Sequence, residues 1–319
     1  GWAHNSRTLV ESFCPPWHAV LYSGYAASAA WLCGLVLRQR RAGRYGLAAI
    51  PRGYELGLVG AVLFGVGGLG DMLWHIVFGI ETDLKALLSP THLLLFAGIL
   101  LILTSPLRSA WYAADPPGSS PTFGAFLPAL LSLTAAVSAI SFMGMFYWAL
   151  LDDAAASVGP RLFQVVRASS SAQQLGLEDI LLTNGVLIAP LLLVLRRWQI
   201  PFGSVALLFT ANTILMNVLA EFFAWEMIPV ALLAGLAADL LIRALRPGLG
   251  RALPVRLFAA LVPLIFWCLF FLATWLRRGI GWPPELWTGA IVLTSFTGVG
   301  LSLLTVPMGN GEGERPGGG

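Results

Sequence analysis

The sequence is poor in charged residues and in cysteine. Only 11% of its 319 residues are charged and 57% are hydrophobic, whereas soluble proteins have about 25% charged residues. Three widely spaced cysteines argue against a disulfide framework. The sequence also has no Gly-rich phosphate loop, nucleophile elbow or Cys-x-x-Cys-His haem attachment. The composition therefore indicates an all-α, polytopic membrane protein surrounded by the lipid bilayer.

Long apolar runs alternate with short polar segments along the chain. Crossing the hydrocarbon takes roughly 20 apolar residues, and on this measure we predict a bundle of about nine transmembrane helices. They form a single transmembrane domain over residues 1–307, followed by a disordered Gly-rich tail at residues 308–319. The predicted spans cover residues 17–37, 54–80, 88–106, 122–150, 178–195, 201–223, 226–244, 252–276 and 284–307.

The basic residues predict the orientation of the chain. A basic cluster at residues 38–44 follows the first predicted span, which is typical of a cytoplasmic loop. With that loop inside, the N-terminus is extracytoplasmic and 13 of the 19 Lys and Arg residues lie on the cytoplasmic side. Arg277 and Arg278 are the main exception. Because the basic residues are scattered between apolar runs, the net charge of +3 predicts no nucleic-acid partner.

An acid and two histidines stand out in the second and third predicted spans. Asp71 and His75 are four residues apart, so they project from one helix face. His92 opens the next span, and an antiparallel hairpin returns it to the same depth. Ionisable residues in apolar helices are usually paired or functional. Oxygen and imidazole ligands without a thiolate suit copper or zinc. We expect this site at the periplasmic or extracellular side of the cytoplasmic membrane.

A second version of this pattern occurs at the N-terminus. His4 and His18 are separated by 14 residues, and His75 and His92 by 17. An acid lies between the histidines of each pair, and a proline lies two residues before the second histidine. Internal duplication is common in membrane proteins. The region 1–106 is therefore predicted to hold two copies of a ligand set, and the region 122–307 to add further helices.

Other assignments of these residues are open from the sequence alone. Asp71 and His75 can form a hydrogen bond within the helix pair, with His92 capping its own helix. Glu11 and Glu81, the acids between the histidines, are candidate additional ligands, as is Glu221 at the end of the sixth span. Glu221 and the nearby Glu226 can be additional ligands or members of a proton relay, but we interpret them as solvated interfacial glutamates. No catalytic residue is assigned.

The pattern Asp-x-x-x-His, then an acid, then Pro-x-His at the start of a transmembrane helix resembles the copper membrane monooxygenases, the methane and ammonia monooxygenase family. The likeness is to their membrane subunit in which this motif occurs twice and binds copper, and it covers roughly residues 1–100. It implies that Asp71, His75 and His92 form one copper triad, with Asp71 where the family's second triad usually has asparagine. It also implies that His4 and His18 belong to another triad, whose acid we expect just before the first residue in a precursor.

Three functions are compatible with the sequence. The resemblance implies a subunit of a membrane copper enzyme, in which copper activates dioxygen for a small apolar substrate and other membrane subunits act as partners. A copper carrier or permease is an alternative, and so is a non-enzymatic accessory subunit whose histidines are structural or bind a pigment or haem. Because the sequence begins with glycine, we expect a removed signal peptide or a preceding helix upstream.

Overall fold

The computed structural model describes residues 16–79, 83–113, 115–156 and 170–305. Within these ranges the chain is all-helical, with eleven α-helices and two isolated β-bridges. The helices are α1 (Pro16–Arg41), α2 (Glu55–Phe78), α3 (Asp83–Leu88), α4 (Pro90–Leu103), α5 (Ser105–Trp111), α6 (Phe123–Met143), α7 (Ser170–Leu195), α8 (Ser204–Leu219), α9 (Met227–Leu245), α10 (Ala252–Arg278) and α11 (Pro284–Thr305).

Eight helical segments of the described chain are long and apolar enough to cross a membrane, with α4 and α5 counted together as one. Of the nine predicted spans, eight are thus confirmed by length and hydropathy. The other corresponds to α8, which is apolar but has 16 residues. At 1.5 Å per residue it is about 24 Å long, less than the roughly 30 Å of hydrocarbon in a bilayer. The chain is an integral membrane protein with several spans.

The span predicted over residues 201–223 extends too far toward its C-terminal end. Glu221 and Phe222 have positive φ angles of 51° and 58°, a left-handed conformation that does not continue a right-handed helix. Residues 204–226 contain neither glycine nor proline. The sequence therefore carries no conventional signal for the turn that ends α8.

Two further predicted boundaries are wrong. The span expected over residues 122–150 ends at Met143, and the chain then forms a buried loop in which residues 148–151 are at most 3% exposed. The span expected from residue 178 already begins at Ser170. The hydropathy pattern predicted the first of these helices too long, because a loop buried in protein can be as apolar as a helix in lipid.

The chain divides into two compact units, each built from segments that are not contiguous in sequence. Unit 1 consists of Gly1–Ala114, Leu127–Phe146 and Ile214–Phe223. Unit 2 consists of Asp115–Phe126, Tyr147–Thr213 and Ala224–Gly319.

In unit 1, α2 and α4 form a tightly packed antiparallel pair. Gly60 faces Gly98, and a Cβ atom at Gly60 would lie 2.6 Å from the Gly98 carbonyl oxygen. Further along, Gly70 faces Thr91, so positions rise along α2 as they fall along α4. Glycine allows this close approach of two backbones, a common device in membrane helix pairs. The C-terminal end of α2 therefore lies beside the N-terminal end of α4.

In unit 2, a buried polar network joins α7, α10 and α11. The side-chain amide of Asn184 donates to the Thr294 carbonyl at 3.2 Å and to the Thr297 hydroxyl at 2.9 Å, and its oxygen accepts from the Trp267 indole at 3.1 Å. All of the hydrogen-bonding capacity of the amide nitrogen is thus used inside the protein. A satisfied polar network of this kind fixes the register of the three helices.

Arg277 and Arg278, which depart from the predicted charge asymmetry, both contact the turn between α8 and α9. Arg278 forms an ion pair with Glu226 at 2.5 Å, and the Arg277 guanidinium lies 4.8 Å from the centre of the Trp225 ring. Glu226 is 4% exposed. The interpretation of Glu226 as a solvated glutamate is therefore wrong, because its charge is buried and paired with an arginine.

Candidate metal centre

Asp71 and His75 lie on one face of α2, one turn apart. Asp71 is 3% exposed, and its Oδ2 atom lies 3.4 Å from Nε2 of His75. The two side chains meet because residues at i and i+4 are neighbours on a helix. A carboxylate buried in an apolar helix is unfavourable unless positive charge or hydrogen-bond donors compensate it. Asp71 therefore needs the partners that surround it.

The start of α4 brings His92 to the same carboxylate. Ser89 is the N-cap of α4, and its hydroxyl oxygen accepts from the backbone N–H of His92 at 3.3 Å. Pro90 occupies the first turn, where its missing N–H costs nothing. His92 Nδ1 then lies 3.3 Å from Asp71 Oδ1. The sequence Ser-Pro-Thr-His thus combines a helix start with the third candidate ligand.

The spacing of the three side chains fits a bound metal ion. One potential ligand atom from each of Asp71, His75 and His92 lies within 4.8 Å of the other two. Two ligands at 2.0–2.1 Å from a tetrahedral ion lie about 3.3 Å from each other. The two Asp–His separations of 3.3 and 3.4 Å match that value. They are longer than a direct charge-assisted hydrogen bond, which is about 2.7–2.9 Å.

A backbone carbonyl selects the nitrogen of His75 that faces Asp71. Nδ1 of His75 lies 3.1 Å from the Gly79 carbonyl oxygen, and because a carbonyl only accepts, Nδ1 carries the hydrogen. In neutral His75 the lone pair is then on Nε2, which points at a carboxylate that also only accepts. A cation between them, either a proton or a metal ion, resolves this arrangement. Metal-binding histidines commonly have such a carbonyl partner.

Gly79 provides this carbonyl by ending α2. Its φ angle is 82°, a conformation that favours glycine, and its N–H donates to the His75 carbonyl. On the other side of the cluster, the Thr91 hydroxyl donates to Asp71 Oδ1 at 2.8 Å. Thr91 and Gly79 thus hold the carboxylate and one imidazole in place. Sequence reasoning assigned no role to either residue, although a glycine after a helix and a threonine beside the N-cap are usual signals of helix ends.

The same residues can also form a hydrogen-bonded cluster without a metal. The Ser89 hydroxyl lies 2.7 Å from His92 Nδ1, the same atom that approaches Asp71. Binding a metal through Nδ1 requires this hydroxyl to turn away. The side chain of His92 is 30% exposed, that of His75 12% and that of Asp71 5%. The cluster is thus buried on the Asp71 side and more accessible at His92.

The structure describes only some of the other predicted ligands. His4, Glu11 and Glu81 lie outside the described residues. Among the residues that are described, Glu221 is exposed in the turn after α8 and is not brought together with the three candidate ligands. Its role as an additional ligand therefore stays a prediction.

His18 lies on α1 at the same end of unit 1 as the cluster. Tyr22 packs against Gly68, while Tyr25 packs against Gly65 and donates to the Ala61 carbonyl at 2.8 Å, so α1 is antiparallel to α2. One turn before Tyr22, His18 contacts its ring edge-on at 6.3 Å between centroids. His18 is therefore placed level with the last turns of α2, although it does not join the three-residue group.

A scan against protein-family models, a search of curated proteins and a search of solved structures each found no match to the chain. The resemblance to the copper membrane monooxygenases thus rests on the motif itself. The geometry at the ends of α2 and α4 adds that Asp71, His75 and His92 converge, and that this group can hold a metal ion.

Proposed function

We propose that the chain is an integral membrane copper-binding protein whose metal site is formed by Asp71, His75 and His92. The observation that carries this proposal is the convergence of one buried carboxylate and two imidazoles from two helices within 4.8 Å of one another, with both Asp–His separations close to those of two ligands of one ion. The hydrogen bond between His75 and the Gly79 carbonyl supports it, because it directs the lone pair of Nε2 toward the site.

Copper is preferred over zinc on the chemistry of the ligands and on the motif. Imidazole nitrogen suits both ions, and at a given site Cu(II) binds more tightly than Zn(II). A site with three protein ligands and an open position is typical of metals that bind a substrate or water. The exposed side of His92 provides such a position.

We further propose that the chain serves as a subunit of a copper membrane monooxygenase-like complex. Bound copper would supply dioxygen activation in such a complex. The residues of this chain would hold the ion, exclude water on the Asp71 side and leave the His92 side accessible. Because α2 exposes large apolar side chains to the bilayer, including Ile76 (71%) and Phe78 (66%), a small apolar substrate can approach this end of α2 from lipid.

A copper carrier is the alternative function, and it differs from a resident copper site in the number of ligand sets that it needs. Transport needs successive ligand sets along a path, whereas the described residues contain one group of three metal-binding side chains. This favours a resident ion over an ion in transit. Copper flux into proteoliposomes containing the full chain distinguishes the two. Flux at rates above those of empty vesicles supports the carrier, and its absence with copper retained supports the resident site.

Metal analysis of the purified full chain tests the proposal. We expect the double variant His75→Ala/His92→Ala to lose about one copper ion per chain, because the carboxylate alone cannot replace three ligands. Asp71→Asn keeps an oxygen ligand and should retain copper, whereas Asp71→Leu should lose it. The variant Glu285→Gln is the control, since it changes an exposed carboxylate at the start of α11 that belongs to neither predicted ligand set.

The outcomes separate the candidate functions. Unchanged copper content in His75→Ala/His92→Ala contradicts the site. Absence of copper and zinc from the wild-type chain after loading favours the accessory subunit, with Asp71, His75 and His92 as a hydrogen-bonded cluster. If copper is bound, oxidation of a small alkane or of ammonia by membranes containing the chain together with its partners tests the enzymatic role.

A further inference from the structure

Unit 2 contains a small pocket that has no part in the proposed copper site. It lies where the loop after α6, the first turns of α7 and the connection between α10 and α11 meet. Asp152 and Trp282 line it together with Gly176 and apolar side chains. About 10 Å³ inside it is open to the centre of a water molecule, which is close to what one ordered water needs.

The walls of the pocket are held rigidly. A Cβ atom at Gly176 would lie 2.7 Å from the Trp282 ring and 2.8 Å from the side chain of Ala154, so three elements meet at this glycine. Ala155 accepts a backbone hydrogen bond from Gly281 at 2.9 Å. The loop after α6 is thus fixed to the α10–α11 connection, so the pocket has well-defined walls.

Two carboxyl groups meet beside the pocket. The side chain of Asp152 hydrogen-bonds to that of Asp179, which lies one turn after Gly176 on α7 and is 6% exposed. Two carboxylates only accept hydrogen bonds, so this contact requires a proton shared by the pair. Aspartic acid pairs in enzymes share a proton for the same reason.

Trp282 gives an independent indication that the pocket has an occupant. Its ring is 4% exposed, and within the described part of the chain its indole N–H has no acceptor. A buried donor without an acceptor is energetically unfavourable. The pocket that the ring lines has room for an acceptor of the size of one water molecule.

The charged groups around the pair favour a proton on it. Asp153 in the loop is 3% exposed, and Glu178 on α7 adds a further negative charge nearby. At the end of α10, Arg278 is paired with Glu226 and Arg277 lies over Trp225. Glu285 at the start of α11 is exposed. Asp153 and Glu178 thus add negative charge near the pair, while the two arginines of α10 contact Glu226 and Trp225.

We propose that this pocket is a proton-binding site in which Asp152 and Asp179 share one proton and a single ordered water accepts the Trp282 N–H and bonds to the carboxyl pair. The water connects the acid pair to the α10–α11 connection, so the site can take up and release one proton at this end of unit 2. Protonatable carboxyls with a bound water are the usual elements of proton relays in membrane proteins. The proposal is independent of copper binding.

Infrared spectroscopy of the full chain in lipid nanodiscs tests the shared proton. We expect the wild type to show the carbonyl stretch of a protonated carboxyl at neutral pH, which disappears at alkaline pH. Asp179→Asn and Asp152→Asn should each lose this titrating band, while Glu178→Gln, an exposed neighbour, should retain it. A wild-type spectrum without the band, or a band that survives both aspartate variants, contradicts the proposal.

Water labelled with oxygen-18 tests the bound water without any substitution. The pH difference spectrum of the wild type should contain an O–H stretch that shifts in labelled water. Trp282→Phe should lose this band and shift the carboxyl band, while Trp287→Phe in the first turn of α11 should change neither. Absence of the isotope-sensitive O–H band would contradict the proposed bound water. A carboxyl band that appears only when sodium is removed would assign the pocket to a metal cation and overturn the proton site.

Discussion

The substitution Gly98→Ala should weaken copper binding without touching a ligand. A Cβ atom at position 98 would lie 2.7 Å from the backbone nitrogen of Phe64 and 2.9 Å from the Gly60 carbonyl oxygen. Ordinary contact begins at 3.4 Å. Both neighbours are backbone atoms of α2, which cannot rotate away. The two helices must therefore separate by about 0.7 Å, the difference between 2.7 and 3.4 Å.

This displacement reaches the proposed metal site. His92 precedes Gly98 by six residues, about 9 Å along α4 at 1.5 Å per residue. Metal–ligand distances tolerate deviations of about 0.2 Å. A shift of His92 relative to Asp71 by several times that amount should lower copper affinity roughly 10–100-fold, the range found when groups that orient ligands are lost. The overpacking itself should cost about 1–3 kcal/mol of stability.

Competition with a chromophoric copper chelator measures the affinity, and circular dichroism with thermal unfolding in detergent checks the fold. Gly34→Ala is the matched control, since a Cβ atom at that position of α1 meets nothing within 4 Å. We expect it to leave copper affinity unchanged. A folded Gly98→Ala protein with the affinity of the wild type would refute the reasoning, because the α2–α4 separation would then not determine the site.

Three further predictions concern side chains in both units. Thr91→Val removes the 2.8 Å hydrogen bond to Asp71 and should weaken copper binding by about 1 kcal/mol, roughly fivefold, in the same competition assay. Asn184→Leu leaves the buried Trp267 N–H without its acceptor and should lower the unfolding temperature, at a cost of about 1–2 kcal/mol. Burial raises the pKa of Asp152. Its stabilising contribution is therefore complete below about pH 4, the ordinary carboxyl pKa, and is lost as pH rises through the raised value. Unfolding temperatures measured against pH should fall across that window in the wild type and less in Asp152→Asn.

Features of the fold and of the candidate site could be predicted from the sequence where they depend on interactions between neighbouring residues. Hydropathy located the long helices, since each must be apolar over roughly 20 residues to cross a bilayer. The convergence of Asp71, His75 and His92 follows from an i, i+4 spacing and from a short connection that reverses the chain before Pro90. Both features involve neighbours in sequence, so they could be predicted without a structure.

Contacts between distant residues could not be predicted in this way. The pairing of Glu226 with Arg278 joins positions 52 residues apart, and no local pattern distinguishes that glutamate from a solvated one. The left-handed turn at Glu221 has no glycine or proline to mark it. The acid pair of Asp152 and Asp179 depends on a buried loop whose apolar sequence resembles that of a helix.

The orientation in the membrane and the role of the N-terminal copy stay predictions. His4 lies outside the described residues, and His18 is level with the cluster but not part of it. The excess of Lys and Arg on the predicted cytoplasmic side still favours an extracytoplasmic metal site. Arg278, one of the basic residues on the predicted outer side, is paired with Glu226. Cysteine labelling of the 38–44 loop from each side of sealed vesicles measures the orientation directly.

X-ray absorption spectroscopy of the copper-loaded full chain tests the metal site most directly. The predicted spectrum shows nitrogen and oxygen neighbours with the outer-shell scattering of imidazole, and this scattering decreases in His75→Ala/His92→Ala. A spectrum dominated by sulfur neighbours from cysteine or methionine, or one that is unchanged in the double variant, would contradict a copper site formed by Asp71, His75 and His92.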